Sequence, residues 1–252
     1  MGRKKKNIKR ENQVPQKNYQ KIKLTVFFVP IVIISIILSI KTFLSPIYLP
    51  YLIFISEDGP VEYLTFIVFI ISFIVSILVA NSLRKLKKRL ASISFFIIAF
   101  VFIFVAIEEI SWGQRIFGFE ATGIFSDSTQ GEVNIHDLKP FEYFEDPSFI
   151  FVGLVGGLLW ILFLKSSKDN SSSFKTFFVP PWYLMTFFIP VSIFYIVLNL
   201  APPEVTTQGI SWGFLFPKDQ EPFELILSLG LLGFVFSNYI KLRQMKLTKN
   251  AS

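Results

Sequence analysis

The sequence contains no cysteine and only one histidine, His136, among its 252 residues. The first absence excludes a disulfide framework, a cysteine metal site and thiol chemistry, and the second excludes every site that needs two imidazole groups. Apolar residues are abundant instead: 52% of the residues are hydrophobic, 17% are aromatic, and the mean hydropathy is +0.55. These values are too high for an ordinary soluble domain, so the composition predicts a multi-pass membrane protein.

Six apolar runs are long enough to cross the roughly 30 Å hydrocarbon core of a membrane as helices. They lie near residues 24–43, 60–81, 90–109, 147–165, 177–200 and 221–240. The two tails and two of the connections hold 21 of the 25 Lys and Arg residues, but only two of the 18 acids. These basic segments are 1–23, 82–90, 165–176 and 241–252. Because basic segments stay in the cytoplasm, both termini are predicted to lie there.

The predicted fold is an all-α integral membrane domain over residues 24–241, a six-helix bundle built from three hairpins in a bacterial inner membrane. The outer loops are 44–59, 110–146 and 201–220, and residues 242–252 form a cytoplasmic tail. The basic tail 1–23 is predicted to be disordered and to attract anionic lipid at about 1 kcal/mol per basic residue. Such a tail is chiefly a topology signal, so membrane lipids are the predicted partners and nucleic acid is not.

One polar stretch, Glu-Glu-Ile-Ser-Trp-Gly-Gln-Arg at residues 108–115, ends the third apolar run. Ionisable side chains at such a position are costly to keep dry, so they are expected to be interfacial or functional. A continuous helix would place four of these residues on one face: Glu108, Ser111, Trp112 and Arg115. Glu109 would lie about 100° away, so the two carboxylates would face different surroundings.

An acid followed by a proline recurs at the start of the runs that follow an outer loop. The three segments are Glu57–Pro60, Glu145–Pro147 and Asp219–Pro222. Pro60 with Glu62, and Pro222 with Glu224, match the pattern of proline at the first helical position and glutamate at the third. Capping explains most of this signal. It leaves open whether both glutamates also face inward, at the depth where the third run ends.

The site hypothesis is that polar groups from separate hairpins gather at the outer membrane boundary. The candidate catalytic residues are Glu62, Glu108, Glu109, Arg115, His136 and Glu224. Clustered carboxylates suit general acid–base work on a water, with Arg115 steadying an oxyanion or a phosphate. Alternatively, Glu109, His136 and Asp137 would suit a divalent ion such as Mg, Mn, Ca or Zn, the one cofactor that the sequence suggests. The structural alternatives are helix caps, an interfacial Arg115–Glu108 ion pair and an ordinary loop histidine.

Three strings together resemble a family of uncharacterised bacterial multi-pass membrane proteins. They are Glu57-Asp58-Gly59-x-x-Glu62, the stretch 108–115, and Asn134-x-His136-Asp137-Leu138. This resemblance implies that the residues act together, and it implies no particular reaction. A second resemblance is to the CAAX-type glutamate intramembrane proteases, whose first motif is Glu-Glu-x-x-x-Arg. Here Arg115 lies six residues after Glu109 instead of four, and the other motifs of that family need two more histidines.

Three classes of function fit the sequence. A membrane-embedded hydrolase or transferase, acting on a lipid or lipid-linked substrate reached laterally, would use the polar site directly. An assembly or interaction protein would use the long outer loop to dock a partner. A small-solute carrier is disfavoured because it needs polar groups at mid-bilayer, where Asn199 and Ser192 are the main candidates.

Overall fold

A computed structural model describes residues 16–43, 45–56, 59–127, 133–135, 138–164, 173–200 and 219–250. These residues form nine α-helices and no strand. The helices are α1 (Gln16–Phe43), α2 (Ser45–Phe54), α3 (Pro60–Lys85), α4 (Arg89–Glu109), α5 (Gln114–Phe117), α6 (Lys139–Leu162), α7 (Ser173–Phe178), α8 (Met185–Leu200) and α9 (Gln220–Asn250). Short 3-10 turns lie at Ser111–Gly113, Gly123–Asp127 and Trp182–Leu184.

Six segments of the described chain are long and apolar enough to cross a membrane. They are Gln20–Ile40, Pro60–Lys85, Arg89–Glu109, Tyr143–Leu162, Thr176–Leu200 and Gln220–Lys246. The prediction of an all-helical protein with six candidate spans is therefore confirmed. The six spans also support the predicted multi-pass character.

Two helices begin earlier than predicted. Helix α1 starts at Gln16, so the last part of the predicted tail is helical. Helix α6 starts at Lys139, well before the predicted start near 147, and Glu145 consequently lies inside the helix. The reason is that Pro140 occupies the first turn of α6 and supplies the same start signal as Pro147.

The starts of α3 and α9 bear on the capping prediction. Helix α3 begins at Pro60 and carries Glu62 in its first turn, as predicted. Helix α9 begins at Gln220, so Glu221 is the acid of its first turn. Glu224 is therefore the fifth residue of α9, and the prediction that it occupies the third helical position is wrong.

Helix α9 packs between two groups of helices. On one side it contacts α3, which packs closely along α4, and on the other it contacts α8, which packs along α6. Helix α1 lies against α8. The predicted hairpins pair α1 with α3, α4 with α6, and α8 with α9. The last pair is in contact, whereas the most extensive packing of the other spans joins α3 to α4 and α6 to α8.

Two apolar cores follow from this packing. The first joins α3, α4, α7 and α9, with Leu83, Phe95 and Val235 among its fully buried side chains. The second joins α8 to α9 and contains Tyr195 and Ile226. Both cores are mainly aliphatic or aromatic, and their packing fixes the positions of the helices whose polar ends form the site.

Glycine residues of α6 allow α6 and α8 to approach closely. A methyl group added at Gly153 would overlap Ser192 Oγ and lie 2.8 Å from the carbonyl oxygen of Phe188. The hydroxyl of Ser192 in turn donates to the carbonyl oxygen of Ile150, at 2.9 Å. The two helices therefore meet backbone to backbone at this point.

Candidate functional site

Five glutamates from four helices meet at one end of the described structure, and we refer to them as the glutamate cluster. They are Glu62 on α3, Glu109 on α4, Glu145 on α6, and Glu221 and Glu224 on α9. Glu109 interacts electrostatically with the other four, most strongly with Glu224. All five side chains are partly buried. They come together because α3 and α9 begin, and α4 ends, at this end of the structure.

Two residues of α8 bind acidic side chains at this end of the structure, one in the cluster and one beside it. The hydroxyl of Tyr195 donates to Glu224 Oε1 at 2.8 Å, and its ring is stacked on Phe149 with the centroids 4.5 Å apart. The amide of Asn199 donates to Asp146 Oδ2 at 2.7 Å. Tyr195 is fully buried, so its position fixes one oxygen of Glu224. The carboxylate of Glu224 is consequently anchored to α8.

A similar contact holds the start of α9. Tyr51 of α2 donates its hydroxyl to Asp219 Oδ1 at 2.9 Å, and both side chains are buried. Because Asp219 directly precedes α9, this bond fixes the end of the helix that carries Glu221 and Glu224. A buried hydrogen bond to a carboxylate contributes about 1.5–3 kcal/mol.

The stretch 108–115 does not continue helix α4, so the prediction of one helical face is wrong. Helix α4 ends at Glu109, and Ser111, Trp112 and Gly113 have φ values of 46°, 53° and 78°. Three successive left-handed residues form a tight turn, closed by a bond from the Gly113 amide to the Ile110 carbonyl oxygen at 2.7 Å. Left-handed backbone at Ser or Trp costs about 1–3 kcal/mol per residue, so surrounding contacts must hold it.

Those contacts come from within the turn and from the loop at residues 133–135. Glu108 Oε1 accepts a bond from the indole nitrogen of Trp112, and Glu108 Oε2 accepts one from the Ile135 amide at 2.8 Å. Gln114 Oε1 accepts a bond from the Val133 amide, also at 2.8 Å. The Asn134 side-chain amide lies 3.2 Å from Ser111 Oγ, to which it donates.

Glu108 and Glu109 therefore have different roles in the structure. The carboxylate of Glu108 is 6% exposed and binds the turn and the loop together. The carboxylate of Glu109, next in the chain, belongs to the glutamate cluster. The sequence predicts different surroundings for these two side chains, and the structure shows them.

The structure brings together three of the predicted site residues: Glu62, Glu109 and Glu224. Glu108 lies beside them in sequence but is engaged with Trp112 and the loop. His136, Asp137 and the side chain of Arg115 lie outside the described residues, as do the acids Glu57 and Asp58. Any catalytic role of these residues stays a prediction.

The list of candidate residues from the sequence omits Glu145, Glu221 and Tyr195. Both glutamates lie in the acid–proline segments, where the capping pattern identifies them only as residues that precede a helix. A tyrosine inside an apolar run carries no signal of its own. Its role depends on the packing of α8 against α9, which the sequence does not specify.

Carboxylates are the one kind of metal-binding side chain in the glutamate cluster. Within the part of the chain that the structure describes, no group of three or more acidic or histidine side chains is placed to hold a metal ion. Adjacent carboxylates repel one another when ionised, and shared protons relieve that repulsion. The predicted metal site would need His136 and Asp137, so it stays a prediction.

No protein-family model matches the chain, and no curated protein or solved structure shows significant similarity to it.

Proposed function

We propose that the chain is an enzyme of a bacterial inner membrane, a hydrolase or transferase that acts on a lipid or lipid-linked substrate. In this proposal both termini lie in the cytoplasm and the glutamate cluster faces the outer side. The observation that carries the proposal is the position of Glu109 among four other glutamates from three neighbouring helices.

The chemistry would be general acid–base catalysis. It needs a protonated and an ionised group side by side, and carboxylates that share protons supply both. Glu109 is the central group, with Glu62 and Glu224 as its partners. Arg115 would bind a developing negative charge, and His136 would assist proton transfer or, with Asp137 and Glu109, hold a divalent ion.

A lipid substrate is supported by exposed apolar side chains that follow Glu109 or precede Glu145 in the chain. Phe117 is 78% exposed, Ile124 is 72% exposed, and Phe144, one residue before Glu145, is 67% exposed. Large exposed apolar side chains at a span end favour the membrane interface, where lipids can approach laterally. A water-soluble substrate would gain nothing from such a surface.

The proposal is tested by lipid turnover. The purified protein would be reconstituted in vesicles made from a total bacterial lipid extract, and new lipid species would be followed by mass spectrometry. Glu109→Gln should lower the rate by at least roughly 100-fold, the usual contribution of a general acid or base. Glu120→Gln, which alters an exposed carboxylate outside the cluster, is the matched control and should keep the full rate. Full activity in Glu109→Gln would refute the role given to the cluster.

The alternative is a membrane assembly or interaction protein, and one observation favours it. The loop at residues 133–135 is held against the end of α4 and the turn that follows it by three hydrogen bonds, which gives a partner a fixed surface. Deleting residues 121–140 should then abolish complex formation, while Glu109→Gln should leave it unchanged. Absence of lipid products from the wild-type protein would favour this alternative.

A further inference from the structure

The connection between α3 and α4 forms a compact basic surface, which we refer to as the basic loop. It comprises Arg84, Lys85, Lys87, Lys88 and Arg89. All except Lys88 are exposed, and Lys88 is partly buried with its ammonium 4.9 Å from the ring centre of Phe177. Lys87 has a φ of 60°, so the chain turns tightly here and crowds the charges together. The nearest acids along the chain are Glu62 and Glu108, at the opposite ends of α3 and α4.

An exposed apolar stripe begins directly at this loop. Leu90, Ile93, Ile97 and Phe100 of α4 are 80%, 56%, 58% and 68% exposed. Their spacing puts them on one face of the helix. From Phe102 to Glu109 every residue of α4 is buried or partly buried. The stripe is therefore confined to the half of α4 next to the basic loop.

The length of the stripe matches a lipid chain. Ten residues separate Leu90 from Phe100, which at about 1.5 Å per residue is about 15 Å. This is half of the roughly 30 Å hydrocarbon thickness, the depth of a single leaflet. A phospholipid whose head group lies at the basic loop would thus lay one acyl chain along the whole stripe.

The charge at the loop favours an anionic head group. Helix α4 has no acid in its first turn and no side-chain cap, and its first residue is Arg89. Cations at the start of a helix are unfavourable because the dipole is positive there, and a phosphate nearby offsets both charges. A second protein helix would cover the stripe, but an apolar helix would leave the basic loop without a counter-charge.

We propose that this face of α4 is a binding site for an anionic phospholipid, with the phosphate at Lys87 and Arg89 and an acyl chain along Leu90–Phe100. The site lies at the opposite end of α3 and α4 from the glutamate cluster, and the proposal does not depend on the proposed enzymatic function. It also differs from lipid binding by the basic tail, because the loop lies between two spans.

Fluorescence quenching tests the site in a bilayer. Because the chain has no cysteine, Ser94→Cys gives a single label position beside the stripe, where the native side chain is partly buried. The labelled full chain would be reconstituted in phosphatidylcholine vesicles containing phosphatidylglycerol, with brominated acyl chains on one lipid or the other. Ile67→Cys, labelled on the first half of α3 where Ile67 is 48% exposed, is the control position.

At Ser94→Cys, brominated phosphatidylglycerol should quench more strongly than brominated phosphatidylcholine, with a preference of roughly 5-fold per contributing charge. The two lipids should quench equally at Ile67→Cys. The preference should fall as salt is raised, because the attraction is electrostatic. Equal quenching by both lipids at Ser94→Cys would overturn the proposal, and weak quenching by either lipid would indicate that a protein covers the stripe.

Charge-removal variants separate the loop from the tail. Lys85→Gln/Lys87→Gln/Arg89→Gln should reduce the preference at Ser94→Cys to the value at Ile67→Cys. Lys4→Gln/Lys5→Gln/Lys6→Gln, which removes the same charge from the tail, should leave it unchanged. Replacing Lys85 and Lys87 with Arg keeps the positive charge and should keep the preference for phosphatidylglycerol. This variant shows whether the charge, rather than the substitution itself, is responsible. A loss caused by the tail variant and not by the loop variant would place lipid recognition in the tail and refute the site.

Discussion

The substitution Glu108→Gln tests whether this carboxylate is structural. In the native protein its two oxygens accept bonds from the Trp112 indole and from the Ile135 amide. A glutamine side chain keeps one acceptor oxygen and replaces the other with an NH₂ group. One of the two native donors would then face another donor, so at least one bond is lost whichever way the amide is turned.

The expected loss of stability in Glu108→Gln follows from the burial of this side chain. A hydrogen bond to a charged group contributes about 1.5–3 kcal/mol, and a buried donor left without an acceptor costs about 1–3 kcal/mol. These two figures overlap, and together they give a local cost of about 2–5 kcal/mol. Because the left-handed turn at residues 111–113 is held by the same contacts, the loop at 133–135 should open at least about 30-fold more often, which is the population change for 2 kcal/mol.

Hydrogen exchange measured by mass spectrometry is the direct assay. The amide of Ile135 should exchange at least about 30-fold faster in Glu108→Gln than in the wild type, because it loses its acceptor. Amides in the core of α3 around Leu83, which is fully buried, should stay protected and show that the fold is intact. Glu120→Gln, which alters an exposed carboxylate in the segment between α4 and α6, is the matched control. Unchanged exchange at Ile135 would refute the reasoning.

Two further substitutions examine packing and the cluster. Gly153→Ala should destabilise the protein by about 1–3 kcal/mol, because the added methyl meets the Phe188 backbone and Ser192 across the contact of α6 with α8; the measurement is the midpoint of unfolding in detergent. Tyr195→Phe keeps the stacked ring but removes the bond to Glu224, so it should cost about 1–3 kcal/mol in the same measurement and slow lipid turnover.

Each of these substitutions has a control in the chain. At Gly233 an added methyl meets only the side chain of Leu184, at 3.0 Å, so Gly233→Ala should cost less than Gly153→Ala. Tyr143 is 80% exposed, and Tyr143→Phe should have little effect on stability. If Gly233→Ala destabilised the protein as much as Gly153→Ala, or Tyr143→Phe as much as Tyr195→Phe, the packing and hydrogen-bond contacts of Gly153 and Tyr195 would not explain the loss of stability.

The six spans, and the position of Glu62 and Glu109 at one end of the structure, could be predicted from the sequence. Apolar length is sufficient to locate a membrane helix, and alternating direction puts the start of α3 and the end of α4 at the same level. Glu62 and Glu109 therefore had to lie at one end of the structure. The start of α6 could not be predicted in the same way, because Pro140 and Pro147 offer equivalent signals for the first turn of a helix.

The turn after α4 could not be predicted because it contradicts local preference. Ser and Trp seldom take left-handed backbone angles, so the local sequence favours a continued helix or an ordinary loop. The conformation depends on the loop at residues 133–135, about twenty residues further along the chain, whose amides need Glu108 and Gln114 as acceptors. A backbone conformation that depends on distant partners cannot be predicted from the residues of the turn alone.

The separation of Glu108 from Glu109 also decides how activity data should be interpreted. Both substitutions to Gln should reduce turnover if the enzyme proposal holds, but for different reasons. Glu109→Gln should leave exchange at Ile135 as slow as in the wild type, because its carboxylate belongs to the cluster. Glu108→Gln, by contrast, should both reduce turnover and accelerate exchange at Ile135. A loss of activity with an intact loop therefore identifies a chemical role, whereas a loss that follows loop opening identifies a positioning role.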